Sequence, residues 1–341
     1  MRRAAIPDRC GRLPPACFAP VMATGIVSRA LAHSGAALAS RLLLGVAVTA
    51  YLTLLAATLV KVVRRTVLVR TELREPGGLF GHFTFVAATG VLATRLGHGP
   101  ARIAAEIQFA VAVVVWIALT VAAVSAVRSG ARMPLRQADG TWFLATVGLQ
   151  ALVLTLLALR TGPTLLAIAV LLWETGLLLY GATLTAVILR LLRDPPQPGR
   201  LAPTYWVTMG AAAISTLTGT LLLRHEKLLP ALARPSVAGE VVTLWAWATA
   251  LIPVLLAAGV WRHVRHRVPL GYEPALWCVV FPLGMYATAT AQLAALHRGV
   301  VPSAAVPLVI RTAAVAWIAV AVRCLTARAG QALGPSRPRP A

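Results

Sequence analysis

A short pattern of small and hydroxyl residues occurs twice in apolar surroundings. Residues 18–25 and 83–90 both follow the order F-x-x-V-x-A-T-G, and weaker echoes occur at 145–148, 209–215 and 281–288. In a membrane, hydroxyl groups and exposed backbone amides can replace the water around an anion, but small residues also let two helices pack closely. The pattern therefore predicts either a polar path for anions or tight helix packing.

The candidate path-lining residues are the aromatic, hydroxyl, glycine and proline members of these segments. They are Phe18, Thr24, Gly25, Phe83, Thr89, Gly90, Thr146, Gly210, Ser215, Pro282 and Thr288. Hydroxyl and amide donors would stabilise an anion without the tight binding that a buried arginine imposes.

The common catalytic and metal-binding patterns do not occur in this sequence. It contains no Walker A sequence, no G-x-S-x-G and no paired-aspartate motif for a metal-bound diphosphate. The four cysteines and seven histidines lack the spacing of a zinc site or a disulfide framework. We therefore expect no enzyme activity, no cofactor and no bound metal.

The elements that would position the candidate residues are membrane-spanning helices. Of the 341 residues, 58% are hydrophobic and 12% are charged, whereas ordinary globular chains carry about 25% charged residues. A hydrocarbon core of about 30 Å requires roughly 20 apolar residues per helical crossing, and the long unbroken apolar runs argue against a β-barrel. The composition therefore predicts an all-α integral membrane protein in contact with the lipid bilayer.

Proline, glycine and arginine clusters divide the chain into ten crossings. These lie near residues 14–32, 42–60, 79–96, 103–127, 141–159, 164–189, 203–223, 237–261, 274–296 and 303–325. We expect a transport domain at 14–325, a cytoplasmic N-terminal segment at 1–13 and a disordered cytoplasmic tail at 326–341.

The basic residues indicate the orientation of these crossings. The chain has 32 Lys and Arg residues against 10 Asp and Glu residues. With the N-terminus in the cytoplasm, most basic residues fall on the cytoplasmic side, as the positive-inside rule requires. This predicts both termini in the cytoplasm, an even number of crossings and a location in the inner (plasma) membrane. It also accounts for much of the positive charge without nucleic-acid binding.

Odd and even crossings differ in composition. The repeated pattern occurs in odd crossings, whereas even crossings are mainly aliphatic runs such as residues 111–116. Short connections after the odd crossings favour five antiparallel helical hairpins. We expect the odd helices to form an inner ring around a central pore and the even helices an outer ring that faces lipid.

Each odd crossing is followed on its outer side by an arginine. These residues are Arg29, Arg95, Arg160, Arg224 and Arg298. Around a shared axis they would form a positive outer mouth that concentrates anions. Alternatively, each arginine offsets the negative end of a helix dipole and extends to the lipid headgroups.

Two charged residues are predicted to lie near the middle of the membrane. Glu174 falls in the sixth crossing and Arg311 in the tenth, at similar depth. A lone charge there costs roughly 2.5–3.5 kcal/mol. The two residues are therefore expected to form an ion pair, to face water, or, for Glu174, to bind a proton coupled to transport.

Four segments resemble the bacterial tellurite-resistance/C4-dicarboxylate transporter family. They lie at residues 14–28, 204–215, 259–263 and 280–286. That family is related to slow-type plant anion channels and to fungal malate and sulfite transporters. The resemblance extends over residues 14–325 and implies ten helices in five hairpins, a pore lined by odd helices, and a homotrimer with one pore per subunit.

The resemblance also implies a function and a gate. A phenylalanine on the ninth helix occludes the pore in this family, and Phe281 is the matching position. Alternatively, Phe281 fills the space opened by the kink at Pro282. The expected partner is a small inorganic or dicarboxylate anion. The resemblance does not distinguish among tellurite, sulfite, halide and nitrate. A proton-coupled dicarboxylate carrier and a non-transporting membrane scaffold are the alternative functions.

Overall fold

The computed structural model describes residues 13–97, 100–128, 137–160, 162–229, 233–297 and 299–333. These residues form helices and connecting turns, and no strand occurs among them. The predictions made for residues 1–12, for Arg298 and for residues 334–341 lie outside the described residues. Residues 326–333, the first part of the tail predicted to be disordered, are helical in the structure.

Eleven α-helices make up this part of the chain. They are α1 (Ala19–His33), α2 (Ala37–Arg64), α3 (Thr66–Glu72), α4 (Pro76–Leu96), α5 (Arg102–Arg128), α6 (Phe143–Leu159), α7 (Pro163–Arg193), α8 (Trp206–Arg224), α9 (Ala233–Val260), α10 (Trp277–Leu296) and α11 (Ala305–Leu333). The short helix α3 has no counterpart among the predicted crossings.

Nine helices within the described ranges are long and apolar enough to cross a membrane. The prediction of a multi-pass, all-helical membrane protein is therefore confirmed. The helix in the first predicted crossing, α1, has 15 residues, fewer than the roughly 20 that a full crossing requires. A turn at residues 15–18 precedes it.

The membrane helices fall into two groups by burial. In the most apolar stretches of α4, α6, α8 and α10, 67% to 89% of the residues are buried, against 11% to 28% in α2, α5, α7, α9 and α11. Helix α1 belongs with the first group, since ten of its 15 residues are buried. We call α1, α4, α6, α8 and α10 the buried helices and the other five the exposed helices. Large apolar side chains such as Ile107 and Leu178 cover the exposed helices, which suits contact with hydrocarbon.

The contacts among the buried helices form a closed series. Helix α1 contacts α4 and α10, α4 contacts α6, α6 contacts α8, and α8 contacts α10. Each exposed helix packs on the buried helix before it and on the buried helix after it in the chain, with α11 contacting both α10 and α1. The five buried helices therefore pack against one another, and the five exposed helices lie at the periphery.

Short 3-10 turns gather the first residues of three buried helices. Gly140–Trp142 precedes α6, Pro203–Tyr205 precedes α8, and Pro274–Leu276 precedes α10. The second turn contacts both of the others. These three helices therefore begin at the same end of the protein.

A buried ion pair holds α3 against this end. Lys61 Nζ on α2 lies 2.7 Å from Glu72 Oε1 and donates to Leu13 O at 2.6 Å. His82 Nε2 on α4 lies 3.4 Å from Glu72 Oε2. The side chain of Lys61 is only 4% exposed, so this residue is part of the packed structure.

Candidate functional site

The glycines of the repeated pattern lie where buried helices touch. A Cβ on Gly25 would lie 2.9 Å from Val91 Cγ1 of α4, and one on Gly90 would lie 3.0 Å from both Cβ and O of Ala151 on α6. A Cβ on Gly210 would lie 2.8 Å from Pro282 Cγ of α10. These distances are too short for a larger residue, so the small residues permit close helix packing.

The hydroxyl groups of the pattern are mostly used within their own helices. Thr24, Thr89, Ser215 and Thr288 each donate to the carbonyl four residues earlier, at 2.7 to 2.9 Å. Thr146 Oγ1 is buried and has no hydrogen-bond partner. The prediction that these five hydroxyls donate to a passing anion is therefore unsupported for four of them, because their single proton is already engaged.

Polar aromatic residues connect the two groups of helices. Each exposed helix contributes one Tyr or Trp side chain that forms a hydrogen bond with a residue of the next buried helix in the chain. The side chain from α11, the last helix, bonds a residue of α1. The pairs are Tyr51 with Thr89 (3.0 Å), Trp116 with Ala145 O (3.4 Å), Trp173 with Ser215 O (2.9 Å), Trp245 with Thr290 (3.0 Å) and Trp317 with Thr24 (2.9 Å). We call these residues the aromatic girdle.

The aromatic girdle was not predicted from the sequence. Trp116 lies in a run interpreted above as aliphatic, although each even crossing contains a Trp or Tyr near its middle. A polar aromatic placed centrally in an apolar crossing requires a buried partner for its N–H or O–H. That requirement was the signal available in the sequence.

Phe18 and Phe83 pack with other aromatic rings. The ring of Phe18 meets Tyr51 at 5.8 Å and Phe85 at 5.1 Å, both edge-on. Phe83 stacks on Phe80 at 6.1 Å. Phe18 therefore fills the junction between α2 and α4.

The position of Phe281 follows from the contacts of α10. Pro282 lies against Gly210 of α8, and Gly284 lies against Ile26 of α1. Thr290 and Tyr286 hydrogen-bond residues of α9. At about 100° per residue, the face of α10 between its α8 and α1 contacts carries Phe281, Met285, Thr288 and Gln292. This face is turned towards the other buried helices, and the Phe281 side chain is fully buried.

Basic side chains meet at the other end of the buried helices. Arg95 and Arg224 lie near Arg29, and all three arginines lie near His33. The guanidinium of Arg29 donates to Thr94 at 3.1 Å, and that of Arg95 donates to Ser40 at 3.0 Å. We call Arg29, Arg95 and Arg224 the basic mouth. Bringing like charges together is unfavourable, and a bound anion would offset this cost.

Gln292 connects this end to the face that carries Phe281. Its Nε2 atom lies 3.0 Å from His33 Nε2. The buried Gln292 Oε1 atom has no hydrogen-bond partner. A polar position therefore separates the basic mouth from the buried phenylalanine.

Arg160 is separate from the basic mouth. Its guanidinium lies 3.5 Å from Glu106 of α5, which also pairs with Arg102. Glu106 is thus a partner that Arg160 shares with Arg102, and the membership of Arg160 in a common positive mouth stays a prediction. Arg298 lies outside the described residues.

Glu174 and Arg311 do not form the ion pair considered in the sequence analysis. Glu174 on α7 instead lies near Glu240 on α9. Arg311 is exposed on α11 and lines a cavity of about 420 Å³ with His33 and Ser34. The two residues lie on different exposed helices. Their similar predicted depth in the membrane does not bring their side chains into contact.

The described part of the chain contains no group of three His, Cys, Asp or Glu residues arranged to hold a metal ion. The site therefore consists of a closed set of buried helices, a buried aromatic residue and a cluster of arginines. This combination fits the class of membrane proteins that move anions.

The protein belongs to a family of this class. Residues 12–325 match the SLAC1 family, described as voltage-dependent anion channel, and the family resemblance predicted from the sequence is confirmed. An uncharacterized membrane protein of Mycobacterium tuberculosis is 46% identical over 127 residues, which is 37% of this chain. This chain spans 64% of the length of that relative.

Archaeal proteins match a similar share of the chain. Two uncharacterized transporters of Methanocaldococcus jannaschii are each 25% identical, over 118 and 114 residues. The matched residues are 35% and 33% of this chain and 33% and 32% of the two transporters. Family membership supports anion transport in general.

Proposed function

We propose that this protein conducts small anions across the inner (plasma) membrane along a path enclosed by the five buried helices. In this proposal ten crossings form five hairpins, and the protein assembles as a homotrimer with one path per subunit. Residues 14–325 form the transport domain, and both termini lie in the cytoplasm. The proposal is supported by the closed series of contacts among the buried helices, with Phe281 buried on one of them and Arg29 and Arg95 at one end.

The proposed mechanism begins with electrostatic attraction. Arg29, Arg95 and Arg224 raise the local concentration of anions at the outer end of the path. An anion then loses part of its hydration shell beside His33 and Gln292 and reaches Phe281. Because the Phe281 ring fills the path, conduction requires the ring to move aside.

The buried hydroxyls contribute less to this mechanism than the sequence predicted. Thr146 retains an unused donor, whereas Thr24 and Thr89 bond their own helices and the aromatic girdle. A path with few fixed donors binds an anion weakly. Weak binding favours rapid passage over accumulation.

A proton-coupled dicarboxylate carrier is the second candidate function. The proximity of Glu174 to Glu240 within the membrane helices favours it. Carboxyl groups within membrane helices are rare and often belong to proton-transfer paths in transporters. The pair lies on the exposed helices α7 and α9, however, and Phe281 lies on a buried helix, so the channel is the better supported function.

The test is an anion-flux panel on the purified protein in liposomes. Chloride, nitrate, sulfite, malate, succinate and tellurite are compared with and without a proton gradient. The channel proposal predicts flux of at least one anion that persists when the proton gradient is removed. Flux that disappears with the gradient would favour the carrier, and a folded protein that moves none of these anions would support the scaffold alternative.

A further inference from the structure

A large apolar cavity lies apart from the proposed anion path. It has a volume of about 710 Å³ and is bordered by α9 and by the first residues of α8 and α10. Its walls include Trp206, Leu255, Ala258, Trp261, Leu276 and Val279. The volume is within the range of pockets that hold small organic ligands, about 300–1,000 Å³.

The cavity runs from the membrane interior to one membrane surface. Along α9 its lining extends from Val254 to Arg262, a distance of about 12 Å at 1.5 Å per residue. Trp206 begins α8 and Trp261 directly follows α9, and tryptophan is enriched at the level of the lipid headgroups. The end of the cavity near Arg262 is therefore at the headgroup level, on the side predicted to be cytoplasmic.

The cavity adjoins the lipid-facing surface of the protein. Val254, Val260 and Leu270, which line the cavity or flank it, are each more than half exposed. Gly259 also lines it, and a Cβ placed there would meet no atom within 4 Å. An occupant can therefore enter from the bilayer without displacing a packed helix.

The headgroup end of the cavity is basic. Arg262 and His263 line it, and Arg190 Nη1 donates to the lining residue Tyr205 at 2.6 Å. Arg262 donates to Leu201 O at 2.8 Å and lies 3.7 Å from the half-exposed Glu273. The Nε atoms of Arg190 and Arg262 are both buried without a hydrogen-bond partner. Two unused guanidinium donors at one end of an apolar cavity favour an occupant with an anionic oxygen.

The backbone at this end departs from the regular α-helix. Residues Trp261–Arg265 continue α9 as a single π-helical turn. Such turns occur mostly as local bulges and are frequent at functional sites. Here the turn contains Trp261, Arg262 and His263, the three residues that border the cavity at its basic end.

The chemistry of the two ends identifies the class of occupant. A free phosphate ion would satisfy the arginines but leave the apolar walls empty, and a peptide would bring backbone polar groups that these walls cannot satisfy. An anionic phospholipid has both an acyl chain for the cavity and a charged phosphate for the arginines. Basic pockets between membrane helices on the cytoplasmic side commonly bind such headgroups.

We propose that this cavity is a binding site for one anionic phospholipid of the cytoplasmic leaflet. An acyl chain occupies the space beside Leu255, Ala258 and Val279. The phosphate lies between Arg262 and Arg190, with His263 beside it. The site is independent of anion conduction, since it lies outside the space that contains Phe281.

The experiment uses the full-length protein in vesicles with phospholipids brominated on the acyl chain. Bromine quenches tryptophan fluorescence on contact, so lipid in the cavity quenches Trp206 and Trp261. Brominated phosphatidylglycerol, which is anionic, is compared with brominated phosphatidylcholine, which is zwitterionic, over a range of mole fractions. The double variant Trp206→Phe/Trp261→Phe identifies the fraction of the quenching that comes from the cavity.

We expect this fraction to saturate at a several-fold lower mole fraction of phosphatidylglycerol than of phosphatidylcholine. The variant Arg262→Gln reduces that preference about five-fold, the amount expected for one basic residue near the membrane surface. The matched variant Arg70→Gln, at an exposed position of α3, retains the preference. Added inorganic phosphate leaves the preference for phosphatidylglycerol unchanged if the ligand is the lipid. It abolishes the preference if the site binds the free ion.

Filling the cavity provides a second test. The variant Gly259→Leu places a side chain in the open space and removes the saturable quenching, whereas Gly239→Leu, at an equally open position of α9 outside the cavity, retains it. Equal quenching by both lipids in the unmodified protein, or unchanged quenching in Gly259→Leu, would overturn the proposal. Quenching of Trp206 and Trp261 by neither lipid would also overturn it. Because this measurement requires no flux, it separates the lipid site from the proposed function.

Discussion

Gly210 of α8 and Pro282 of α10 touch at the level of the buried phenylalanine. A Cβ on Gly210 would lie 2.8 Å from Pro282 Cγ and 3.1 Å from its Cβ. The proline ring cannot rotate away, and its helix also carries Phe281. The absence of a side chain at residue 210 therefore helps to set the position of the candidate gate.

The variant Gly210→Val should destabilise the protein. Overpacking a close helix contact typically costs about 1–3 kcal/mol, and the neighbouring ring is rigid. The thermal unfolding midpoint in detergent should fall, and Gly239→Val, at a position with open space, should leave it nearly unchanged. An equal midpoint in both variants would contradict the close contact.

The variant Phe281→Ala should increase anion flux several-fold. Removing the ring opens the enclosed space on the face of α10 that lies between its α8 and α1 contacts. The control is Leu283→Ala, two residues away and only partly buried, which removes similar volume from another face of the same helix. Unchanged flux in a folded Phe281→Ala protein would remove this residue from the gate.

The variant Arg224→Gln should reduce anion flux, most strongly at low ionic strength. Arg224 is exposed, so its loss removes charge from the basic mouth with little cost to folding. The attraction is long-range, and salt at about 1 M shortens the screening length to about 3 Å, which should abolish the difference. Arg160→Gln is the matched control, because Glu106 already pairs with Arg160. Equal reductions in both variants would argue against a localised mouth.

The variant Lys61→Met should destabilise the end of the protein that contains α3. It leaves the carboxylate of Glu72 without its lysine partner, and breaking a buried ion pair in this way costs about 3–5 kcal/mol. The double variant Lys61→Met/Glu72→Met should recover much of the loss, since no unpaired charge remains. Thermal unfolding measures both, with Arg70→Met as an exposed control. A double variant less stable than Lys61→Met would refute this account of the pair.

The variant Glu174→Gln distinguishes the two candidate functions. If the protein is a channel, the anion flux and its independence of the proton gradient remain as they are. If it is a carrier that uses the Glu174 and Glu240 pair, replacement of one carboxyl by an amide abolishes the coupling. The exposed residue Glu75 provides the control variant Glu75→Gln. Uptake that stays proton-dependent in Glu174→Gln would exclude this pair as the coupling site.

The family and the helical membrane fold were predictable from the sequence. Long apolar runs cannot form a soluble fold, and the segments at 204–215 and 280–286 were specific enough to indicate the family. The odd crossings that carry the repeated pattern correspond to the buried helices of the structure. Local composition was informative here because each helix must suit the solvent or lipid around it.

The roles of individual residues were less predictable. The pattern A-T-G permitted both a polar path and helix packing, and only the structure shows Thr24 bonded to Pro20 O and Trp317. Similarly, Arg160 and Arg224 occupy equivalent positions in sequence, yet Glu106 forms an ion pair with Arg160.

The amino-acid sequence by itself determined that this chain forms membrane helices, where those helices fall and to which family it belongs, because these properties depend on apolar length and on contiguous residues. The tertiary structure decided which side chains share a space. Helix rotation and the order of packing bury Phe281 among the other helices, bring the charges of Arg29, Arg95 and Arg224 near one another, and place Glu174 near Glu240. These relationships join residues that are far apart in the chain, so no local pattern could specify them.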